Sequence, residues 1–368
     1  MEKLKIAIPG TRGIPNQYGG FEQLAEYLSV GLAEKGHSVT VYNSHRHAFT
    51  GKKWKNVTIV HCHDPENWMG AAGQFIYDLN CIKHSSRQQY DIVLFPGYTS
   101  SSVWGRLYPK KSVIISHMDG LEWKRSKYSR PVQQFLKYAE KLAVKYSQFY
   151  ITDSESIQSY LKNKYDISSQ YIPYGAEIFM NENTAYLEEF KLIPGNYYML
   201  MARMEPENNI EMILEAFHQS SSTKKFLVLG STDNKLGRKI ARKFSGDPRI
   251  LFAGAVYDAV KTHSLKYYSS VYFHGHSVGG TNPSLLEAMA SRALVAAHNN
   301  PFNLEVLQQN GLYFASVNDI KNIINQPPGK ELKEKMISNN LDAIRKRFSW
   351  DKVIDQYESF MLSCYHGQ

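Results

Sequence analysis

The chain has 368 residues, of which 43% are hydrophobic and 21% are charged, and this composition is ordinary for a soluble globular enzyme. The length is too great for one typical core, so we expect two domains of about 150–180 residues each. The formal net charge of +9 indicates an anionic partner, while three widely spaced cysteines without a CxxC pair argue against a disulfide framework or a structural zinc site.

The positive charge by itself fits a nucleotide, a phospholipid surface or a nucleic acid. No nucleic-acid-binding motif accompanies the charge, so we expect no nucleic acid partner. The N-terminal apolar run is too short for a signal peptide, and no apolar stretch reaches about 18 residues. The sequence therefore predicts a cytoplasmic protein that would touch a membrane only from the surface, at the inner face of the plasma membrane.

Short apolar strands alternate with helical patterns through the first half of the chain, as in a parallel sheet that helices cover on both faces. The first predicted helix begins at Phe21, and a second is predicted over residues 69–82. The predicted strands are residues 4–8, 38–42, 57–61, 91–95, 112–116 and 149–152.

The loop after the first strand is rich in glycine and proline and leads into the first helix, which is how nucleotide-binding α/β domains begin. It lacks the GxGxxG spacing of a dinucleotide site. Gly19 and Gly20 stand where the helix starts, and Arg12 offers a cation beside them. We expect this loop to contact a ligand, the alternative being an ordinary long surface loop.

A cluster of polar and aromatic residues follows the strand 112–116. Ligands of open α/β sheets lie beyond the carboxyl ends of the strands, so this cluster predicts part of a pocket, although a lone histidine is more often structural. The residues are His117, Asp119, Glu122, Trp123, Lys124 and Arg125.

Residues 124–145 form a basic segment in which aromatic residues alternate with lysines and arginines, and Glu140 is its only acid. A basic amphipathic helix with aromatic residues can lie on an anionic bilayer. A solvated helix face is the alternative interpretation.

The second half repeats the α/β pattern after a boundary that we place between residues 177 and 194. A helix is predicted over residues 210–218, and a final helix begins after Ser349. The predicted strands are residues 197–202, 226–229, 250–252, 271–273 and 294–297.

Residues 271–290 are predicted to form a strand, a loop of small residues and a helix. Gly279 and Gly280 allow the backbone to approach a ligand closely, Thr281 or Asn282 can cap the helix, and Pro283 suits its first turn. The free amides and the positive end of the helix dipole would then face a phosphate or a diphosphate.

Two further side chains fit a nucleotide ligand at this corner. Glu287 lies one turn into the helix and could accept hydrogen bonds from a ribose, while Arg203 stands at a strand end and is the best cation of this half for a diphosphate. The alternatives are a solvated Glu287 and an ion pair of Arg203 with Glu205 or Glu207.

Four motifs in this order resemble GT-B glycosyltransferases of the large retaining family four, over essentially the full chain. They are KIAIPGTRGIPNQYGGFEQLAEYLS, HMDGLEWKR, ARMEPENNIEMILEAF and HGHSVGGTNPSLLEAMA. They are most similar to a bacterial branch of rhamnosyltransferases and related enzymes of capsule and exopolysaccharide assembly.

The resemblance implies two Rossmann-like, doubly wound parallel-sheet domains that face a cleft. It implies an N-terminal domain over residues 1–178, a nucleotide-sugar-binding domain over residues 179–348, and a C-terminal segment, 349–368, whose helix crosses back to the first domain. The expected activity is transfer of a sugar, such as L-rhamnose from dTDP-rhamnose, with retention. The acceptor would be a saccharide or an undecaprenyl-diphosphate-linked saccharide.

The family's functional residues carry over to matching positions. Glu287 matches the second Glu of the E-x7-E motif and would bind the donor ribose, and Arg203 matches the diphosphate-binding Arg. Gly19 and Gly20 match the glycine loop near the donor phosphates, and His117 matches the His near the transferred sugar.

Two positions depart from the family pattern. The first Glu of E-x7-E falls on Gly279, which removes a carboxylate that commonly contacts the donor sugar. The usual Lys after the Arg falls on Asn208, which removes a positive charge from the leaving diphosphate; Arg12, Lys124 or Arg125 could replace it.

The sequence contains no Asp-x-Asp, so we expect neither a bound metal nor another cofactor, and electrostatic stabilisation of the diphosphate instead. The departing phosphate oxygen would take the acceptor's proton, with Asp119 or Glu122 as the alternative base or stabiliser. Three other functions remain open: a non-hydrolysing sugar-nucleotide epimerase, which would need no acceptor; a sugar-nucleotide-binding protein without catalysis; and, least favoured, a basic nucleic-acid-binding protein.

Overall fold

The structure is a computed structural model that describes residues 2–17, 19–118 and 120–367, and the chain packs into two compact α/β units. The first unit contains residues 1–124, 128–174 and 350–368, and the second contains residues 125–127 and 175–349.

Short strands and helices alternate along both units. The strands are β1 Lys5–Ile8, β2 Ser38–Ser44, β3 Lys53–Trp54, β4 Val57–Cys62, β5 Ile92–Phe95, β6 Val113–His117, β7 Phe149–Thr152, β8 Gln170–Tyr171, β9 Tyr197–Met201, β10 Lys225–Leu229, β11 Ile250–Phe252, β12 Val271–His274, β13 Val295–His298 and β14 Leu312–Phe314. The helices are α1 Gly20–Glu34, α2 Glu66–Met69, α3 Gly73–Ser85, α4 Arg130–Tyr146, α5 Glu155–Tyr165, α6 Ala185–Glu188, α7 Ile210–His218, α8 Lys235–Lys243, α9 Ala259–Tyr267, α10 Pro283–Ala290, α11 Pro301–Leu307, α12 Val317–Asn325, α13 Lys330–Arg347 and α14 Trp350–His366.

Each unit is built on one sheet whose strand order reverses next to its first strand. The first sheet has the order β3-β4-β2-β1-β5-β6-β7-β8 and is parallel apart from β3, which pairs antiparallel with β4. The second has the order β11-β10-β9-β12-β13-β14 and is parallel throughout. The predicted doubly wound α/β architecture is confirmed. Its switch points lie between β1 and β5 and between β9 and β12, where such sheets bind ligands.

Buried aromatic side chains fill the layer between the second sheet and its helices. Tyr198, Phe217, Phe226, Phe273 and Phe314 belong to one apolar cluster, and each is at most 3% exposed. Burial of one such side chain contributes about 1.5–3 kcal/mol, so this cluster fixes the strands whose ends carry the candidate site.

The predicted helix over residues 69–82 is wrong at its start. Glu66–Met69 is a separate helical turn, and α3 begins only at Gly73. Gly70, with φ of +57°, stands between them, and this left-handed conformation ends the preceding turn.

The fold also places Cys81 of α3 beside Cys62 of β4, and a hydrogen bond from Cys81 lowers the pKa of the Cys62 thiol.

The last helix, α14, belongs to the first unit and packs against α1. Trp350 stacks on Tyr27 with ring centroids 4.3 Å apart. Gly31 of α1 leaves the space for Ile354, whose Cδ1 would lie 2.4 Å from a Cβ at that position. The sequence predicts this helix over residues 351–362, and the structure extends it to His366.

A nearly buried carboxylate completes the contact between α14 and α1. Glu358 lies 3.0 Å from His37 Nε2 and 2.8 Å from Lys35 Nζ. Burial raises the pKa of Glu358, but the hydrogen bonds from Lys35 and His37 outweigh the burial and lower it overall. The ionised carboxylate therefore stabilises the fold.

Among the described residues, no helix is long and apolar enough to cross a membrane.

We expect Glu358→Gln to lower the free energy of unfolding by about 1–2 kcal/mol at neutral pH, because Lys35 and His37 lose a charged acceptor. The folded pKa of Glu358 lies below the unfolded value of about 4.3, so its contribution is present above that pH and is lost as the pH falls below it. Urea titrations should therefore show the two proteins converging in acid. Asp355→Asn, which alters a 63% exposed partner of Lys35, is the control and should change stability by less than about 0.5 kcal/mol. A loss from Glu358→Gln that persists in acid would contradict this account.

Candidate active site

The loops after β9 and β12 meet at the switch point of the second sheet. Ser277 donates hydrogen bonds to the Glu207 carbonyl from its backbone N–H (3.0 Å) and its Oγ (2.9 Å). Asn209 Nδ2 donates to the Gly275 carbonyl at 2.8 Å. These bonds join the loop that carries Arg203 to the loop that leads into α10.

Gly275 is required by the close approach of these two loops. A Cβ at this position would lie 2.0 Å from the Asn208 carbonyl oxygen, which no side chain can accommodate. Gly279 serves differently, since its φ of +139° is a conformation open to glycine and there is nothing within 4 Å of an added Cβ. The loop therefore passes the helix start with open space beside its backbone.

Asn282 is the N-cap of α10. The sequence had left the choice between Thr281 and Asn282 open. The Asn282 Oδ1 accepts a hydrogen bond from the Ser284 N–H at 3.0 Å, and Pro283 occupies the first turn. Thr281 is buried in the loop before the cap, next to Gly280, which is also buried. The arrangement presents helix N-terminal amides and the positive end of a dipole at the switch point.

Arg203 is exposed at the carboxyl end of β9, and the neighbouring carboxylates pair with other cations. Glu205 pairs with Lys127 at 3.0 Å, and Glu207 lies 3.6 Å from Arg125. Burial raises the pKa of Glu205, but Lys127, together with the charges of Arg203 and Arg125, outweighs burial and the pKa is lowered. Among the described residues, Arg203 makes no ion pair with Glu205 or Glu207, so its effect on Glu205 is a longer-range one.

Asn208 carries no charge and stabilises the turn through a hydrogen bond. It is buried, and its Nδ2 donates to the Arg203 carbonyl at 2.8 Å. Arg125 belongs to the three-residue segment that packs with the second unit, so it lies on the same unit as Arg203. Of the three cations that the sequence offered as replacements for the missing Lys, Arg125 is the one that belongs to the second unit, where it lies 3.6 Å from Glu207.

Glu287 pairs with a buried lysine that the sequence did not single out. Lys266 Nζ donates to Glu287 Oε2 at 2.8 Å, and the Lys266 side chain is 0% exposed against 27% for Glu287. Glu287 is thus held in an ion pair while part of its side chain reaches solvent.

Two stacked imidazoles at the end of β12 were also missed. The rings of His274 and His276 lie 4.3 Å apart at an angle of 15°. Within the described residues, both ring nitrogens of His274 and Nδ1 of His276 have no hydrogen-bond partner. Burial, with Arg125 and Arg203 nearby, lowers the pKa of His276 to about 4, so it is neutral at physiological pH. The continuous apolar run of β12 was the available signal, because His274 extends a fully buried strand whose other residues are apolar.

In the first unit, the loop after β1 is held by carboxylates. Glu22 accepts a hydrogen bond from the Arg12 N–H at 2.9 Å, and Glu66 binds the Arg12 guanidinium through both oxygens at 2.5 and 3.2 Å. Gly19 is the N-cap of α1, which begins at Gly20, and no side chain caps this helix. The Arg12 guanidinium is therefore paired with Glu66. Among the described residues, no side chain caps the amides at Gly19 and Gly20.

His117 ends β6 and is 1% exposed. Burial lowers its pKa to about 3, and its Nδ1 has no hydrogen-bond partner among the described residues. Glu122 begins a short 3₁₀ turn, Glu122–Lys124, and is partly buried. Asp119, the other carboxylate predicted here, lies outside the described residues.

The turn that follows His117 is anchored by Glu140, which the sequence presented only as the single acid of a basic helix. Its buried carboxylate accepts hydrogen bonds from Trp123 Nε1, Tyr160 Oη, Tyr165 Oη and Lys164 Nζ at 2.7–3.1 Å. A carboxylate with four donors fixes the position of Trp123 and therefore of the turn.

Two family models match separate parts of the chain. Residues 189–340 match the family described as glycosyl transferases group 1, and residues 102–177 match a domain of unknown function, DUF1972. The sequence matches none of the curated proteins with which it was compared.

The structure is similar to solved glycosyltransferases over nearly its whole length. Sucrose-phosphate synthase from Thermosynechococcus elongatus is 14% identical, with a TM-score of 0.82 and 100% of each chain covered. HepE from Anabaena, solved with UDP and glucose, is 15% identical, with a TM-score of 0.77 over 98% of this chain and 100% of its own. The fold is GT-B. WaaG, a glycosyltransferase involved in lipopolysaccharide biosynthesis, is 12% identical, with a TM-score of 0.70 over 95% and 98% of the two chains.

Proposed function

We propose that the protein is a glycosyltransferase whose second unit binds a nucleotide-sugar donor. The observation that carries this proposal is the convergence of the α10 N-terminus, Arg203 and Glu287 at the switch point of one sheet. The glycosyl transferases group 1 match spans the same residues, and HepE, which shares the fold, has been solved with UDP-glucose. A diphosphate fits the amides and Arg203, and a ribose fits the carboxylate of Glu287.

The positive groups at this corner would stabilise the leaving diphosphate. In the proposed reaction, the bond between the anomeric carbon and the phosphate oxygen breaks, and the acceptor oxygen bonds to the same face of that carbon. The acceptor's proton passes to the departing phosphate oxygen, so charge balances without a separate base. Arg203, Arg125 and the α10 amides would stabilise the negative charge that develops, which is electrostatic catalysis.

His117 fits a positioning role for the transferred sugar better than a role as a general acid. Its lowered pKa keeps the imidazole neutral at physiological pH, and a neutral ring can both donate and accept a hydrogen bond. Glu122 and Asp119 stay candidates for a base or for a stabiliser of the oxocarbenium-like state. Gly19 and Gly20 are proposed to approach the donor phosphates through their backbone.

We further propose that the reaction proceeds with retention and without a metal ion, and that L-rhamnose from dTDP-rhamnose is the sugar. Retention and rhamnose rest on the motifs quoted above. The two departures, Gly279 and Asn208, are interpreted as marks of a variant donor site. Metal independence rests on the lack of Asp-x-Asp and on the cationic groups gathered at the diphosphate corner.

The acceptor is proposed to be a lipid-linked saccharide, such as an undecaprenyl-diphosphate-linked one, reached at the inner face of the plasma membrane during surface polysaccharide synthesis. Helix α4 supports this proposal because its two faces differ sharply. Leu136, Ala139, Glu140 and Ala143 are buried, whereas the opposite face exposes lysines and aromatic or aliphatic groups. That exposed face, here called the basic face, consists of Lys137, Tyr138, Lys141 and Lys145 of α4 with Arg106 and Leu107.

The basic face combines charge with apolar groups that can enter a bilayer interface. Tyr138 is 56% exposed and Leu107 is 46% exposed, so this surface offers apolar groups as well as lysines. Lysines near an anionic surface each contribute about 1 kcal/mol, and an aromatic ring adds interfacial anchoring. An anionic phospholipid surface fits both properties.

Donor binding predicts a rise in melting temperature with one class of nucleoside diphosphate sugar, because a ligand that binds only the folded protein stabilises it. The screen uses UDP-, GDP-, ADP- and dTDP-sugars, each with and without EDTA. We expect the shift to persist in EDTA and to be lost in Arg203→Gln, while Arg238→Gln, an exposed arginine of α8 in the same unit, should retain it.

Turnover separates a transferase from its rivals. Release of nucleoside diphosphate should require an acceptor saccharide and should fall at least tenfold in Arg203→Gln. Epimerisation of the donor without acceptor would favour an epimerase, and donor binding without any release would favour a binding protein. A melting temperature that no nucleotide-sugar changes would contradict the proposed donor site.

Membrane association predicts that the basic face binds anionic vesicles. Replacing Lys137, Lys141 and Lys145 with Glu should abolish sedimentation with vesicles of phosphatidylglycerol and phosphatidylcholine, and Tyr138→Ser should weaken it at constant charge. A matched triple replacement of Lys235, Lys239 and Arg242 on α8 changes the net charge equally and should leave binding intact. Equal losses from both triple variants would indicate a response to net charge and contradict a specific basic face.

A further inference from the structure

Helices α9 and α10 are joined by two polar contacts, one helical turn apart on each helix. His263 Nδ1 and Ser291 Oγ are hydrogen-bonded at 2.6 Å, and Lys266 Nζ donates to Glu287 Oε2 at 2.8 Å. Positions 263 and 266 share one face of α9, and positions 287 and 291 share one face at the end of α10. Only the contact made by Lys266 involves Glu287, the carboxylate of the proposed ribose site.

Lys266 is fully buried, which is costly for an ammonium group unless a carboxylate compensates it. A lysine that merely covered the surface of α9 would extend its amine to water, as the long lysine side chain easily does. Here the charge is brought inside the fold and placed on Glu287, whose side chain remains 27% exposed. The pairing therefore holds one carboxylate oxygen of Glu287 at the buried ammonium group.

Three titratable groups next to this pair, His263, His274 and Tyr272, are uncharged at physiological pH. Burial, with Lys266 nearby, lowers the pKa of His263 to about 4 and moves the pKa of His274 well below its usual value. Both imidazoles are thus neutral at physiological pH. Burial and the Glu287 charge raise the pKa of the Tyr272 phenol, which stays protonated.

We propose that Lys266 is a positioning residue for nucleotide recognition: it holds the Glu287 carboxylate in the orientation that accepts hydrogen bonds from the ribose hydroxyls of the donor. The proposal rests on the proposed function, because it assigns the donor's ribose to Glu287. Its physical content is pre-organisation, in which the carboxylate is already fixed before the nucleotide binds and loses little freedom on binding. Lys266 acts through Glu287 and needs no contact with the nucleotide.

Lys266→Met tests this role, because methionine fills much of the aliphatic volume without the charge. Calorimetry measures binding of UDP and of inorganic pyrophosphate, with GDP, ADP or dTDP in place of UDP if the melting screen selects another base. We expect nucleotide affinity to fall about tenfold, the effect of losing one well-placed charged hydrogen bond, while pyrophosphate affinity is unchanged. Ser291→Ala removes the neighbouring contact between the same helices and is the structural control, with both affinities expected to stay at the wild-type values.

The combination of Lys266→Met with Glu287→Gln shows whether Lys266 acts through Glu287. If it does, the double variant binds the nucleotide no more weakly than Glu287→Gln alone, because the carboxylate that Lys266 positions is already gone. Effects that multiply would overturn the proposal, as would wild-type nucleotide affinity in Lys266→Met.

Two further outcomes distinguish a failure of the Lys266 role from a failure of the proposed donor site. Equal weakening of UDP and pyrophosphate in Lys266→Met, or the same loss in Ser291→Ala, would show that the contact only supports the fold and would overturn the positioning role. Wild-type protein that binds pyrophosphate but none of the nucleotides would instead contradict the proposed donor site, and this inference would fall with it. Should Lys266→Met fail to fold by circular dichroism, Lys266→Gln, which keeps a hydrogen-bond donor, carries the same comparison.

Discussion

The candidate site depends on the approach of two backbone segments at Gly275. A Cβ there would lie 2.0 Å from the Asn208 carbonyl, so only glycine lets the loop after β12 pass directly against the loop after β9. Hydrogen bonds from Asn209 and Ser277 then join the same two loops. Because the loops follow adjacent strands on either side of the switch point, this approach brings Arg203 to the same sheet edge as the start of α10. The ordinary geometry of a parallel sheet, together with one glycine, thus places Arg203 and a helix N-terminus at one edge of the sheet.

Around that region, the structure separates groups that carry charge from groups that burial keeps neutral. Glu205 and Glu287 are each paired with a lysine, whereas His263 and His276 are held neutral by burial. A site arranged in this way keeps its charge pattern across the physiological pH range, since neither of these imidazoles titrates there. A phosphate ligand would then meet a constant positive field, and its own ionisation would dominate any pH dependence of binding.

Local patterns predicted the second unit well where periodicity was strong. The helix predicted over residues 210–218 and the strand over residues 250–252 have the observed bounds, and the cap of α10 was narrowed to two neighbouring residues of which Asn282 is correct. These features depend on residues close in sequence, such as an apolar period or a cap two residues from its donor. The edge strand β14 and the interruption at Gly70 were missed because their patterns are short.

Long-range pairing was beyond the reach of the sequence. Nothing in the pattern of α9 distinguishes Lys266 from a solvated lysine, since its burial depends on Glu287 of another helix. Glu140 was likewise interpreted as one acid on a basic helix, although α5 and Trp123 supply donors that bury it. Arg12 was predicted as a cation beside the glycine loop, and its partner Glu66 comes from a distant turn. The sequence therefore shows where charged residues stand along the chain, but it could not predict the residues with which they pair.

The most direct measurement is a crystal structure of the protein with the nucleoside diphosphate that binds most tightly. The account predicts electron density for the diphosphate at the amides that begin α10, within hydrogen-bond distance of Arg203, and for the ribose hydroxyls at Glu287. A nucleotide bound elsewhere on the chain, or one whose ribose points away from Glu287, would contradict the account.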